Sequence, residues 1–365
     1  MSLVYPAVTA TPRLADVSAP AENPDAEAVL RGILAEGFAI STEFGLGYQG
    51  LWTTLSASVE GGKRFRPALF ATAYRAWGGT DDRSAAAVGA AIELLHTAFI
   101  VHDDVIDGDS VRRGRPNIAG FHAQQARAVG VGGSRARHYG EVAGILAGDL
   151  ALVAALKAVA TCPAPRPTVQ RLMDLFDRVL HATAAGELSD VWLSLGAGPS
   201  ALGDSLTMEE RKTGVYSFAL PLQAGAVLAD APDSMVEAVG SVGRSVGVAF
   251  QLVDDLHGVF GDPAVTGKSA LSDLRSGKQT PLIAHARTTA AWEHIGSLVG
   301  RPQLTAGEAR RVCDLLTECG SRRFVEDLAS QYADGGLELA LNARLPPSLV
   351  SRIRALTLDL IGQTA

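Results

Sequence analysis

The chain has little cysteine: Cys162, Cys313 and Cys319 in 365 residues. They form no metal-ligand spacing and no even disulfide set, which suits buried thiols in a reducing, cytoplasmic setting. Positive charge is in deficit. The 32 Lys and Arg against 39 Asp and Glu give a net charge of −7, which argues against nucleic acid as a partner. Met1–Pro24 lacks a basic segment leading into an apolar one, so it does not read as a secretory signal, and its Ala, Pro and Thr suggest a loose arm. The longest apolar stretch, Val142–Ala160, is interrupted by Asp149 and Lys157. A buried core helix is expected there, and no membrane span. No G-x-x-x-x-G-K-[ST] loop is present, which argues against a nucleotide phosphate cradle. A Ser/His/Asp or Cys/His constellation is also missing.

Strand signals are absent too. No alternating Val/Ile/Thr/Tyr runs bounded by turns occur, whereas Ala- and Leu-rich runs with 3.6-residue periodicity recur throughout. Helices are expected at about 25–44, 48–60, 65–77, 83–107, 138–161, 168–195, 207–229, 233–259, 279–290, 305–318, 321–341 and 347–362. Thr207-x-x-Glu210 and Thr305-x-x-Glu308 have the form of capping boxes. Gly and Pro cluster at 78–79, 130–133, 163–167, 196–199 and 261–280. No break divides the chain into compositional halves and no solenoid period appears. One all-α domain over residues 25–362, after an arm of residues 1–24, is the economical reading.

What the chain does have is acid in two tight groups. HDDVIDGDSVRRGRP at 102–116 puts Asp103, Asp104 and Asp107 within five residues, and QLVDDLHGVFGD at 251–262 pairs Asp254 with Asp255. On a helix, Asp103 and Asp107 stack on one face, about 6 Å apart along the axis. Two carboxylates about 5 Å apart repel by roughly 3 kcal/mol at an effective dielectric near 20. Gathering five of them does not serve stability, and hard cations would remove the conflict. Bases accompany the acids. GGKRFRP at 61–67 carries Lys63 and Arg66, Arg112 and Arg113 follow the first cluster, Lys212-Thr213-Gly214 lies on a later helix, and Lys268 and Lys278 lie beyond the second cluster. Carboxylates for Mg²⁺ among Arg and Lys describe a site for diphosphate esters.

The ordered set GGKRFRP, DDVID with RRG behind it, KTG, and QLVDD…FGD…GK resembles the trans-prenyltransferases, the polyprenyl diphosphate synthases, over roughly residues 25–362. The resemblance implies an isoprenoid-synthase-type helical bundle with a deep central cavity, usually a homodimer. It implies short to medium products, as in geranylgeranyl diphosphate synthases. It implies Mg²⁺, three per site, with Mn²⁺ as a substitute, held by Asp103, Asp104, Asp107, Asp254 and Asp255. Arg112, Lys212 and Lys268 would meet the allylic diphosphate, with Lys278 as a further loop cation. Lys63, Arg66, Arg113 and His96 would meet isopentenyl diphosphate. Thr213 and Gln251 match positions that line the reaction centre.

One position departs from the pattern: Gly258 stands where the second motif usually has a third aspartate. His257 and Asp262 are nearby candidates to compensate. Ala98 and Phe99 lie four to five residues before Asp103, about one turn deeper, where a growing tail would pass. One small and one bulky residue suggest a C20 product first and C15 next. Two rival functions are a class I terpene cyclase, which would lack the isopentenyl site, and a catalytically silent partner subunit, favoured only by Gly258. Arg64 is expected to face solvent. Structural hydrogen-bonded roles are expected for His102 and His257, and a structural role for Asp149. Glu187 and Asp190 stay open between structural and site roles.

Overall fold

The computed structural model describes residues 24–61, 64–195, 201–261 and 274–362. The expected arm of residues 1–24 falls outside them except for Pro24, which starts a helix. The protein is all-α. Its chain divides into two compact units: residues 24–176 with Ala224–Asp230, and Asp177–Gln223 with residues 231–362.

The first unit holds α1 (Pro24–Ser41), α2 (Leu46–Val59), α3 (Phe65–Ala76), α4 (Asp82–Ile106), α5 (Ile118–Ala128) and α6 (Gly133–Ala160). The α4 helix starts where the Asp81 side chain accepts from the backbone N–H groups of Arg83 and Ser84, at 3.1 and 3.2 Å. In its middle Leu94 and Leu95 are fully buried. Against it lies α6, whose Gly140, Gly144 and Gly148 recur every four residues. A Cβ on Gly144 would sit 2.4 Å from Val105, and one on Gly148 would sit 2.2 Å from His102. Glycine there lets α6 close on the acidic end of α4. The opposite face of α6 is not buried: Val142, Ile145, Leu146 and Val153 are exposed. The expected core helix is therefore buried along one face only. Its Asp149 is exposed, 3.3 Å from the His102 ring, which also lies 3.3 Å from the Ile145 carbonyl.

Two further features escaped the periodicity. The α5 helix was not expected. Its start is fixed by Asn117, which accepts from the Gly120 N–H at 2.8 Å. A two-stranded antiparallel hairpin pairs β1 (Val111–Arg112) with β2 (Arg115–Pro116). Its central residues Arg113 and Gly114 have φ of 53° and 72°, the left-handed values of a type I′ turn. Strands of two residues are too short to alternate, so they leave no pattern to read.

The second unit contains the C-terminal part of α7 (Arg166–Ser194), then α8 (Leu202–Glu209) and a π-helical segment, Glu210–Ala219, that leads into α9 (Leu220–Leu228). After these come α10 (Asp233–Phe260), α11 (Pro281–Ala286), α12 (Trp292–Ile295), α13 (Ala306–Glu318), α14 (Ser321–Asn342) and α15 (Pro347–Gly362). The single helix expected over 207–229 is thus three helical pieces. Thr207 lies inside α8 and donates to the Gly203 carbonyl, so its capping box does not form. The box at Thr305 does form, with Glu308 accepting from the Thr305 N–H at 2.8 Å. The helix expected over 279–290 is only the short α11.

The π segment packs on α10 through glycines. A Cβ on Gly247 would lie 2.5 Å from Gly214 Cα, and one on Gly243 would lie 2.6 Å from Ala219 Cα. Elsewhere α10 packs on α14, with Leu252, Leu256 and Val325 in one apolar cluster.

Candidate active site

In the first unit the last turn of α4 presents the acids. Asp104 is buried, Asp103 half-buried and Asp107 exposed. The Asp107 N–H closes the helix on the Asp103 carbonyl at 2.8 Å. From the hairpin, Arg112 Nε donates to Asp104 Oδ1 at 2.7 Å and Nη2 donates to Asp103 Oδ2 at 3.2 Å. Burial lifts the Asp104 carboxyl above its usual range, while the Arg112 bond pulls the other way. Burial also opposes the Arg112 charge, but the bonds to Asp104 and the nearby Asp103 hold that guanidinium above its ordinary value.

A cavity of about 580 Å³ lies beside this group, lined by His96, Asp104, Arg112 and Arg113 together with Thr54, Ile100, Ile118 and Phe121. His96 is half-buried. Burial first, and then the charges of Arg66, Arg112 and Arg113, hold its pKa well below the ordinary value, so it is neutral at pH 7. Arg64 does not face solvent. Its guanidinium donates to Glu27 at 2.9 and 3.1 Å and to Glu93 at 2.7 Å, tying α1 to α4. Ala98 is buried and Phe99 half-buried. Lys63 lies outside the described residues.

In the second unit, Lys212 sits on the π segment and donates to Glu187 Oε1 at 3.1 Å and Asp190 Oδ2 at 2.7 Å. Gly186 makes this possible: a Cβ there would lie 2.4 Å from the Lys212 backbone nitrogen. A small cavity of about 80 Å³ gathers Lys212, Thr213, Gln251, Asp254, Asp255 and Lys278 with Asp190 and Glu209. Gln251 Nε2 donates to Asp255 Oδ1 at 3.0 Å, one turn along α10. Glu209 is buried, and neither of its carboxylate oxygens meets a donor among the described residues. Burial, with Asp255 beside it, pushes its pKa well above the usual carboxylate range. His257 is buried too, and among the described residues neither ring nitrogen has a hydrogen-bond partner, against expectation. Lys268 and Asp262 lie outside the described residues.

The polyprenyl synthetase family model matches residues 50–316. The chain belongs to the polyprenyl synthetase family. Among curated relatives, a Mycobacterium tuberculosis (2E,6E)-farnesyl diphosphate synthase is 31% identical over 312 residues, covering 83% of this chain and 80% of the relative. A geranylgeranyl diphosphate synthase of the same organism is 31% identical over 311 residues, covering 83% and 82%. A solved geranylgeranyl pyrophosphate synthase from Corynebacterium glutamicum, complexed with isoprenyl diphosphate and magnesium, superposes with a TM-score of 0.85 at 27% identity. That match covers 96% of this chain and 99% of the other.

The polyprenyl synthetase family is metal-dependent, and the donors here fit a hard cation. Asp103 and Asp107 in one unit, and Asp254 and Asp255 in the other, offer only carboxylate oxygens, as Mg²⁺ prefers. Of the expected site residues, Lys212, Thr213, Gln251, Asp254, Asp255 and Lys278 share one cavity; His96, Asp104, Arg112 and Arg113 share another. Sequence reasoning left Glu187 and Asp190 undecided and passed over Glu209. Glu187 and Asp190 stand at i and i+3, so their shared face on α7 was readable, but the lysine they meet comes from another segment and was not. Glu209 gave no signal, because its burial depends on the packing of α8.

Proposed function

We propose that the protein is a trans-prenyl diphosphate synthase that joins isopentenyl diphosphate to an allylic diphosphate and releases pyrophosphate. The observation that carries this reading is the cavity where Arg112, Arg113 and neutral His96 converge beside the α4 acids. Two arginines at one wall suit the oxygens of a diphosphate, and the apolar wall of Ile100, Ile118 and Phe121 suits a C5 chain.

Asp103 and Asp107 would hold Mg²⁺ on the allylic side, and Asp254 and Asp255 a further ion. When bound, the metal supplies positive charge to the leaving pyrophosphate. Asp104 holds Arg112 in place rather than acting alone. Arg112, Lys212 and Lys268 would neutralise the allylic diphosphate, with Lys278 as a further loop cation, so that the allylic C–O bond can break. Lys63, Arg66, Arg113 and His96 orient isopentenyl diphosphate. His96 has no charge to compete with the arginines and offers a hydrogen bond instead. The double bond of isopentenyl diphosphate attacks the allylic cation. The departing pyrophosphate takes the proton, and the product is longer by one C5 unit. Thr213 and Gln251 line the reacting carbons. Three Mg²⁺ ions per site, Mn²⁺ as a substitute, a homodimer and a cytoplasmic location complete the reading. Phe99 with Ala98 favours a C20 product, then C15.

The test is a pyrophosphate-release assay with Mg²⁺, isopentenyl diphosphate and C5, C10 or C15 allylic primers. Release is expected only when both substrates are present. Release from an allylic diphosphate alone, with a cyclic product, would point to a cyclase instead. Asp103→Ala is expected to lose turnover by at least about 10²–10³-fold with its helical content intact.

A further inference from the structure

Glu209 is set in an unusual place for an acid. It is 2% exposed, and among the described residues no donor reaches either carboxylate oxygen. A buried carboxylate without a partner is costly, and such a group calls for an explanation. Its neighbours make the cost greater: Asp255 lies beside it and Asp190 is near. Of the two lysines in its cavity, Lys212 is engaged by Glu187 and Asp190, and Lys278 also lines the wall. Glu209 shares its cavity of about 80 Å³ with Asp254, Asp255 and Gln251, room for an ion and a water or two. Position 258, where a third acid of the second motif would stand, is glycine.

We infer that Glu209, from the end of α8, is a ligand of the metal ion held by Asp254 and Asp255, in place of the carboxylate missing at Gly258. The inference rests on the proposed metal role of Asp254 and Asp255. It assigns a residue outside both aspartate motifs to the metal site. It also explains why the acid tolerates burial: an ion of charge +2 against three carboxylates replaces the repulsion among them with attraction. The rival account is a protonated Glu209 that donates to Asp255 and never meets metal. Glutamine at 209 separates the two, because its amide keeps a donor and the shape but lacks the charge.

Mn²⁺ is titrated into the full-length protein with inorganic pyrophosphate present, and free Mn²⁺ is read by electron paramagnetic resonance. Wild type, Glu209→Gln, Asp254→Asn and the double variant are compared, with circular dichroism as the check on folding. Glu209→Gln and Asp254→Asn are each expected to weaken the same class of site by about tenfold or more. The double variant is expected to lose little beyond Asp254→Asn, as residues of one site do. Wild-type affinity in Glu209→Gln with a loss in Asp254→Asn overturns the inference and leaves the second-motif reading standing. Wild-type affinity in both variants overturns both. If Glu209→Gln does not fold, the wild-type protein answers: Fe²⁺ with ascorbate and peroxide is expected to cut the chain near 209 as well as near 254. Cuts at 254 without cuts at 209 overturn the inference.

Discussion

Ala98 is buried and Phe99 half-buried, and the proposed ruler role rests on Phe99, the bulky member of the pair. Phe99→Ala is expected to shift the main product by at least one C5 unit, read by chromatography of the dephosphorylated alcohols. An unchanged product spectrum removes Phe99 as a ruler. His122 illustrates a different residue-scale effect. Its ring is buried, with Nε2 3.2 Å from Thr54 Oγ1, and burial holds its pKa below the ordinary value. The unfolded chain therefore takes up a proton first, at about pH 6.5. The stability His122 contributes is complete above that pH and declines as pH falls toward the folded pKa, by at most about 1.4 kcal/mol per pH unit. His96 and His285 shift the same way. Because Glu209 and Asp104 shift the opposite way, the readout is the difference: between pH 7.5 and 5.5 the melting temperature of wild type should drop relative to that of His122→Gln. An equal slope in both proteins would show that His122 does not titrate on unfolding.

At the scale of elements, the contact between α10 and the π segment leaves no slack. A Cβ at Gly247 meets Gly214 backbone at 2.5 Å, and backbone cannot rotate out of the way. Gly247→Ala should cost about 1–3 kcal/mol and displace Lys212 and Thr213, lowering turnover as well as melting temperature. Gly32, inside α1, meets nothing within 4 Å. Gly32→Ala should stabilise by up to about 1 kcal/mol through helix propensity alone. Equal effects of the two substitutions would dismiss the packing argument. The same contrast explains which elements were readable. Long helices such as α4, α10 and α14 carry a 3.6-residue apolar rhythm over many turns, so their class and approximate limits follow from sequence. The π segment differs from an α-helix only in where its hydrogen bonds close, and its side-chain pattern over ten residues does not show that. The hairpin at 111–116 is set by two left-handed residues, and α5 by one Asn cap. The acids of α4 and α10 were legible because their spacing survives any helix. The partners of Arg64 and the acidic neighbours of Glu209 were not, because they come from helices distant in sequence.

For the whole molecule, the telling feature is a face left uncovered. Both α4 and α6 are long and apolar, but 78% of the most apolar window of α4 is buried against 44% for α6. The uncovered residues Val142, Ile145, Leu146 and Val153 lie on one side of α6. Asp149 is the one charged residue on that side, between Leu146 and Val153, and a folded monomer rarely leaves so many large apolar side chains together open to water. A second copy packing α6 against α6 would bury this strip on both sides at once, the self-complementary contact of a two-fold dimer. A stable contact needs roughly 1,000 Å² or more, so the strip would form its centre and not its whole. Ile145→Glu with Leu146→Glu would put four carboxylates into that centre across the two copies, which desolvation makes prohibitive. Light scattering behind size exclusion should give the mass of a dimer for wild type and of a monomer for the double variant, with unchanged helical content. A dimer that survives both charges, or a wild-type monomer at micromolar concentration, would move the interface elsewhere. Wild-type monomer that sediments with anionic lipid vesicles would instead make the strip a membrane-facing surface.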